Sequence, residues 1–240
     1  MRIVAIVQAR MGSTRLPGKV LMDLGGRPMV VRVLERAARI AGVDDVVLAT
    51  TTLPGDDALA AACAGFTVVR GEADDVLARY RLAAERSHAD VIVRLTADCP
   101  LLSPVVSSLV TGAFLCDPGG ADYVSNTLVR SFPRGLDTEI FTRAALETSA
   151  AEAVDSSERE HVTPFIYRRQ HRFRCHPVAA SPNRAALRWT VDEPDDLRLA
   201  RALYDAFPGN AAFDYHHVLA LLERHPELTA INQHIEQKKT

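Results

Sequence analysis

The sequence predicts an α/β fold built on a mostly parallel central sheet. Short β-branched, apolar runs of the kind that suit strands buried on both faces recur at residues 3–7, 46–49, 66–69 and 91–95. Segments with helical spacing separate them, and this alternation produces a parallel sheet with helices packed on its faces. The composition supports a substantial core, with 48% of the 240 residues hydrophobic and 24% charged. Residues 1–240 fit a single domain.

Ile3, Val4, Ile6 and Val7 make the first strand. It runs into a polar loop holding Arg10, Gly12, Ser13, Thr14, Arg15, Pro17, Gly18 and Lys19. Met29, Val30, Val33, Leu34, Ala37 and Ile40 then recur at helical spacing, with Pro28 suited to the first turn and Gly42 to the stop. The second strand, 46–49, ends in Thr50, Thr51 and Thr52. A Pro54-Gly55 turn follows, and Asp56 and Asp57 open a helix to about residue 64. After the third strand, acids begin a helix over 74–86 and Arg86 closes it, as the helix dipole favours. The fourth strand, 91–95, ends in Thr96-Ala97-Asp98-Cys99-Pro100. Residues 105–114 read as a helix and 123–125 as a short strand.

From about 126 to 186 the rhythm breaks. Residues 132–141 are turn-rich and then strand-like, and 143–153 look helical. Ser157 and Glu160 have capping-box spacing before a helix through about 169, and 172–178 alternate with period two. This stretch reads as an excursion from the main sheet, a partner-contacting arm. The sheet is expected to resume at 187–191, followed by Asp192, Glu193, Asp195 and Asp196 around Pro194, a helix through about 207, and helices over 215–223 and 229–237.

Several function classes are disfavoured. With 28 Lys and Arg against 30 Asp and Glu, the net charge of −2 lacks the basic excess of a general nucleic-acid binder. No apolar stretch approaches the roughly 18–20 residues of a membrane span, and no signal peptide is visible. Cys63, Cys99, Cys116 and Cys175 are scattered without a Cys-x-x-Cys pair, which argues against a disulfide framework or a zinc site. The expected compartment is the cytoplasm.

Three features could carry chemistry. In the opening loop, Arg10, Arg15 and Lys19 stand beside backbone that can approach a ligand closely, at the carboxyl end of a first parallel strand, where open α/β sheets bind ligands. That combination suits a polyanion, most simply a nucleoside triphosphate. The bland alternative is a solvated loop. Gly12 and Gly18 are separated by one residue too many for a P-loop, and Val20 replaces its Ser or Thr. A Gly-x-Gly-x-x-Gly fingerprint is absent too. Asp98 follows the fourth strand and Asp192 follows 187–191. Each could instead be a turn or helix-cap acid. Together they could hold Mg²⁺, which takes one or two carboxylates along with phosphate oxygens and water. Loop amides, Lys19 and the arginines would stabilise a departing pyrophosphate, which describes nucleotidyl transfer.

The stretch Gln8-Ala-Arg-Met-Gly-Ser-Thr-Arg-Leu-Pro-Gly-Lys-Val-Leu21 resembles the opening motif of the cytidylyltransferase superfamily that makes CMP-activated acid sugars, including CMP-Kdo synthetase and acylneuraminate cytidylyltransferase. It is most similar to the SpsF-like spore coat polysaccharide branch. The similarity continues through residues 71–80, 94–102, 135–139, 160–164 and 188–197, nearly the whole chain. The resemblance implies a Rossmann-like three-layer nucleotidyltransferase (GT-A-like) fold, Mg²⁺-dependent transfer of a nucleotide from CTP or another NTP to a sugar or sugar-phosphate acceptor, and a homodimer formed through the mid-chain excursion. By motif position, Arg10 and Lys19 correspond to triphosphate-contacting residues, and Asp98 and Asp192 to metal-binding aspartates. Ala9, Met11, Gly12, Ser13 and Arg15 complete the expected nucleotide grip, with Thr50 placed near base or ribose by its strand end. Arg94, Asp137, Glu139, Glu160 and His161 are the acceptor-side candidates. Ala97 departs from a glycine common in relatives, and Arg134 from an expected acid before Gly135.

Arg94 lies within an otherwise apolar strand, which calls for a carboxylate partner. Tyr80 and Trp189 read as core, Cys99 as a small buried residue, and Lys238-Lys239 as a solvated tail. His216-His217 and Cys175-His176 lack the further ligands of a metal site. Two other readings compete: a glycosyltransferase of related architecture using a nucleotide sugar, and a nucleotide-binding regulator without catalysis. Asp98-Cys99-Pro100 is not the Asp-x-Asp pair typical of the first. Intact Lys19, Asp98 and Asp192 speak against the second.

Overall fold

The structure, a computed structural model, describes residues 1–209 and 212–236. The chain runs β1 (Ile3–Gln8), α1 (Met29–Ala37), β2 (Asp45–Thr51), α2 (Asp57–Ala62), β3 (Thr67–Gly71), α3 (Val76–Arg86), β4 (Val91–Thr96), α4 (Pro104–Leu115) and β5 (Tyr123–Ser125). It continues through β6 (Glu139–Thr142), α5 (Arg143–Glu152), α6 (Ser156–His161), α7 (Pro164–Tyr167), β7 (Cys175–Pro177), α8 (Pro194–Asp205), α9 (Tyr215–Arg224) and α10 (Pro226–Ala230).

One seven-stranded sheet has the order β3-β2-β1-β4-β6-β5-β7. β1, β2, β3 and β4 are mutually parallel, and β6 is antiparallel to both β4 and β5. The pleat sorts side chains into two cores. Ile3, Ala5 and Val7 of β1 join a core with residues of α1, α4, α8 and α9. Val4 and Ile6 join the opposite core with residues of α3 and α5. The result is the expected three-layer α/β arrangement. Trp189 and Tyr80 are buried, as anticipated, and the Tyr80 hydroxyl donates toward the carbonyl oxygens of Ile6 and Leu95, tying α3 to β1 and β4.

The order of the strands also positions the site. The chain leaves β1 for β2 and β3 on one side, then crosses back to lay β4 on the other side of β1. This reversal is the topological switch point, where strands diverge at their carboxyl ends and leave a crevice. The opening loop leaves β1 there, and Asp98 lies two residues past the end of β4.

Four expectations are corrected. Residues 187–191 do not rejoin the sheet as a strand. They form a single isolated parallel bridge, Arg134 with Arg188, because their amides change partners along the segment. The Trp189 amide donates to Arg134 O (2.7 Å), whereas that of Val191 donates to Asp98 O (2.7 Å). The stretch 126–186 is not wholly an excursion, since it supplies β6 and β7 to the sheet. Its expected capping box at Ser157 is absent. Asp155 caps α6 instead, accepting from the Ser157 and Glu158 amides, and the helical run breaks at Val162, whose φ is +71°. The closing helix is shorter than expected, Pro226–Ala230, and Gln237 and Lys238-Lys239 lie outside the described residues.

Candidate active site

The opening loop is folded by its own short contacts. The amides of Ser13 and Gly18 both donate to Met11 O, at 2.9 and 3.3 Å, and Ser13 Oγ accepts from the Leu16 amide. Gly18 adopts φ +69°, which only glycine takes without strain, and turns the chain into a single 3-10 turn over Lys19–Leu21. Asp56, buried at the start of α2, accepts from the Met11 amide at 2.7 Å and from the Thr51 hydroxyl, pinning the loop to β2.

The turn directs Lys19 inward. Its side chain is 11% exposed, and Nζ donates to Val191 O (2.7 Å) and Asp192 Oδ1 (2.8 Å) and lies 3.6 Å from Asp98 Oδ2. One ammonium thus joins the loop after β1, the residue after β4 and the segment before α8. Arg15 adds contacts to Asp192 (3.2 Å) and Glu193 (3.1 Å). The Thr96 hydroxyl orients Asp98 through Oδ1 at 2.6 Å.

Asp192 is held from behind. Arg188 reaches its Oδ2 at 3.2 Å and grips Asp196 through Nε (2.9 Å) and Nη2 (2.8 Å). Asp196 also accepts from the amides of Asp192 and Glu193 and from Asn232 Nδ2. Burial raises the Asp192 carboxyl, but Lys19, Arg15 and Arg188 outweigh it and bring its pKa below the ordinary aspartate value. The same balance holds for Asp196: burial raises it, and Arg188, two amides and Asn232 lower it further.

Arg10 is exposed and makes no hydrogen bond or ion pair among the described residues. Ala9 is buried, Gly12 exposed, and Met11 and Ser13 half-buried. Thr50 is fully buried within β2, and its hydroxyl has no partner among the described residues.

A second compartment adjoins this one along β4. A cleft of about 430 Å³ is lined by residues that include Arg94, Thr96, Arg130, Asp137, Glu139 and His161. The carboxylate partner that Arg94 requires is Glu139, opposite it in the β4–β6 register. Glu139 is buried and also accepts from Tyr123 Oη and Thr163 Oγ1, both at 2.6 Å. Burial lowers the Arg94 guanidinium pKa, and Glu139 more than restores it, so it stays charged. Arg130 and Asp137 form a two-pronged pair at 2.6 and 2.8 Å. Glu160 is exposed and outside the cleft lining, unlike the other four acceptor-side candidates. Asp56, Arg188, Asp196 and Arg130 carry no sequence signal of their roles: Asp56 meets the Met11 amide 45 positions away, and the closer pairs Arg188–Asp196 and Arg130–Asp137, at separations of 8 and 7, span irregular chain in which spacing does not dictate contact. An acid at a helix start was visible at 56 and 196, but it signals capping equally well.

Among the described residues no three His, Cys, Asp or Glu side chains converge as a metal cluster. Asp98 and Asp192, both within reach of the one ammonium, are a pair of hard oxygen donors. That fits Mg²⁺, which supplements one or two carboxylates with phosphate oxygens and water.

A three-layer α/β fold with a cation-lined loop at its switch point and two carboxylates facing it suits a nucleotidyltransferase. Residues 4–225 match the cytidylyltransferase family, and the chain belongs to that family. It is 35% identical to an uncharacterised protein of Methanocaldococcus jannaschii over 99% of this chain and 97% of that one. Identity to the Bacillus subtilis spore coat polysaccharide biosynthesis protein SpsF is 33%, over 94% and 95% of the two chains. It is 32% identical to a 3-deoxy-manno-octulosonate cytidylyltransferase of Anaeromyxobacter sp. (strain K), over 85% and 98%. The solved structure of a cytidylyltransferase from Leptospira borgpetersenii superposes over the full length of both chains with a TM-score of 0.91 at 31% identity.

Proposed function

We propose that this enzyme uses CTP and Mg²⁺ to transfer CMP to a sugar or sugar-like acceptor, releasing pyrophosphate, in the synthesis of a surface polysaccharide or glycoconjugate precursor. The observation that carries the reading is the position of Lys19 between Asp98 and Asp192, next to the cleft holding Arg94 and Glu139 on the same strand pair. Family membership and the names of the relatives support CTP and a sugar acceptor.

In this reading the amides around Ala9, Met11, Gly12 and Ser13, with Arg10, Arg15 and Lys19, hold the triphosphate, and Thr50 packs beneath the nucleotide. The acceptor lies in the 430 Å³ cleft, where Arg94, Asp137, Glu139 and His161 read its polar groups. An acceptor oxygen attacks the α-phosphorus. The bond from that phosphorus to the oxygen bridging the α- and β-phosphates breaks, and pyrophosphate leaves with the bonding electrons. Lys19 and the loop arginines stabilise the charge that builds on it. Mg²⁺ held by Asp98 and Asp192 would neutralise phosphate charge. Arg94 and Glu139 orient each other, and the buried pair keeps the acceptor side of the site rigid.

The same proposal has the enzyme acting in the cytoplasm. Among the described residues no helix is long and apolar enough to cross a membrane. A homodimer through the mid-chain region belongs to the same proposal. The test is pyrophosphate release with each of the four NTPs against acidic, neutral and phosphorylated sugars in Mg²⁺. The proposal predicts CTP-dependent release with a sugar acceptor. Lys19→Ala and Asp98→Ala should each lose about a hundredfold or more in turnover while remaining folded. Robust turnover in either variant refutes the site assignment, and sugar transfer from a preformed nucleotide sugar favours the glycosyltransferase alternative.

A further inference from the structure

We propose that Lys19 is the resident cation of the Asp98–Asp192 site in the nucleotide-free protein, so that a divalent metal is admitted only together with the triphosphate that draws Lys19 away. This rests on the nucleotidyl-transfer reading above and adds an order of binding to it.

Lys19 Nζ is 2.8 Å from Asp192 Oδ1 and 3.6 Å from Asp98 Oδ2, so both carboxylates already face one positive charge. Asp192 has little capacity to spare: Lys19 and Arg15 engage Oδ1, and Arg188 engages Oδ2. Asp98 Oδ1 takes the Thr96 hydroxyl, which leaves Oδ2 facing the lysine. A dication on these oxygens would meet an ammonium a few ångströms away in a half-buried site, where like charges repel strongly. The backbone of Lys19 is fixed by the 3-10 turn that it begins, while its four-carbon stem can swing. Carboxylate oxygens and phosphate oxygens are alternative partners for the same ammonium. When a triphosphate takes the lysine, the two carboxylates are left with a deficit of positive charge that a metal fills. Metal and nucleotide should therefore bind with positive and reciprocal coupling.

Mn²⁺ binding to nucleotide-free protein, followed by the loss of the free-ion electron paramagnetic resonance signal, tests this without turnover. Wild-type protein should bind Mn²⁺ weakly. Lys19→Met, which removes the charge and keeps much of the stem, should bind it on the order of tenfold or more tightly. Adding Asp98→Asn to Lys19→Met should abolish the gain. Tight Mn²⁺ binding by nucleotide-free wild type overturns the proposal, and that measurement does not depend on any variant folding. So does an unchanged affinity in folded Lys19→Met, or a gain that survives Asp98→Asn. A chain that excludes Mn²⁺ as described but releases no pyrophosphate from any NTP would instead overturn the transfer reading and leave the role of Lys19 standing.

Discussion

Asp196 has a side chain wholly withdrawn from solvent and accepts five hydrogen bonds: two from Arg188, one each from the Asp192 and Glu193 amides, and one from Asn232. Asp196→Ala removes the carboxylate and deprives the buried Arg188 of its two-pronged partner. Breaking a buried pair by deleting one side costs about 3–5 kcal/mol, because the remaining charge keeps its desolvation penalty. In a domain of this size each kcal/mol lowers the midpoint by about 2–4 °C, so the expected fall is roughly 6–20 °C. Thermal unfolding followed by circular dichroism measures it. Acid unfolding adds an independent check. The folded pKa of Asp196 lies below its ordinary value of about 3.9, so its contribution to stability is complete above that pH and is lost as the pH falls through the folded value. Asp196→Asn should therefore flatten the acid limb of the stability profile below about pH 4. A midpoint drop under about 3 °C for the alanine variant, with an unchanged acid limb for the asparagine variant, would refute the reasoning.

Two further predictions address the scaffold and the acceptor side. Gly135 has φ +101°, and a Cβ there would meet Thr190 N at 2.5 Å and Trp189 C at 2.6 Å. Gly135→Ala should cost at least about 1–3 kcal/mol and reduce turnover, since the chain it displaces leads to Asp192; an unchanged unfolding midpoint would contradict this. Glu139→Gln keeps the shape but removes the charge facing Arg94, and should raise the KM for acceptor well above any change in the KM for CTP, at a stability cost of about 3 kcal/mol. Equal shifts in both KM values would show that the cleft is not the acceptor compartment.

The parts that were legible in the sequence share a cause. The first four strands and the helices between them announce themselves through local periodicity, and the opening loop through a cluster of cations within ten residues. Residues 187–191 differ from expectation because a short run such as Leu-Arg-Trp-Thr-Val has the same strand-like composition whether it enters a ladder or bridges two loops. Their hydrogen bonds go to Arg134 and Asp98, a choice made by distant backbone. Glu160 looked as eligible as His161, and only the fold turns one outward while the other lines the cleft.

By itself the sequence determined the parallel α/β layering and the cation-rich loop at the first strand end, since each depends on residue type and short spacing. The tertiary structure alone decided which charges meet. Lys19 finds Asp192 across 173 positions, Arg94 finds Glu139 across 45, and Arg159 finds Asp75 across 84. Such pairings depend on which loops the switch in strand order brings to one edge of the sheet. A short-range pattern carries no record of it.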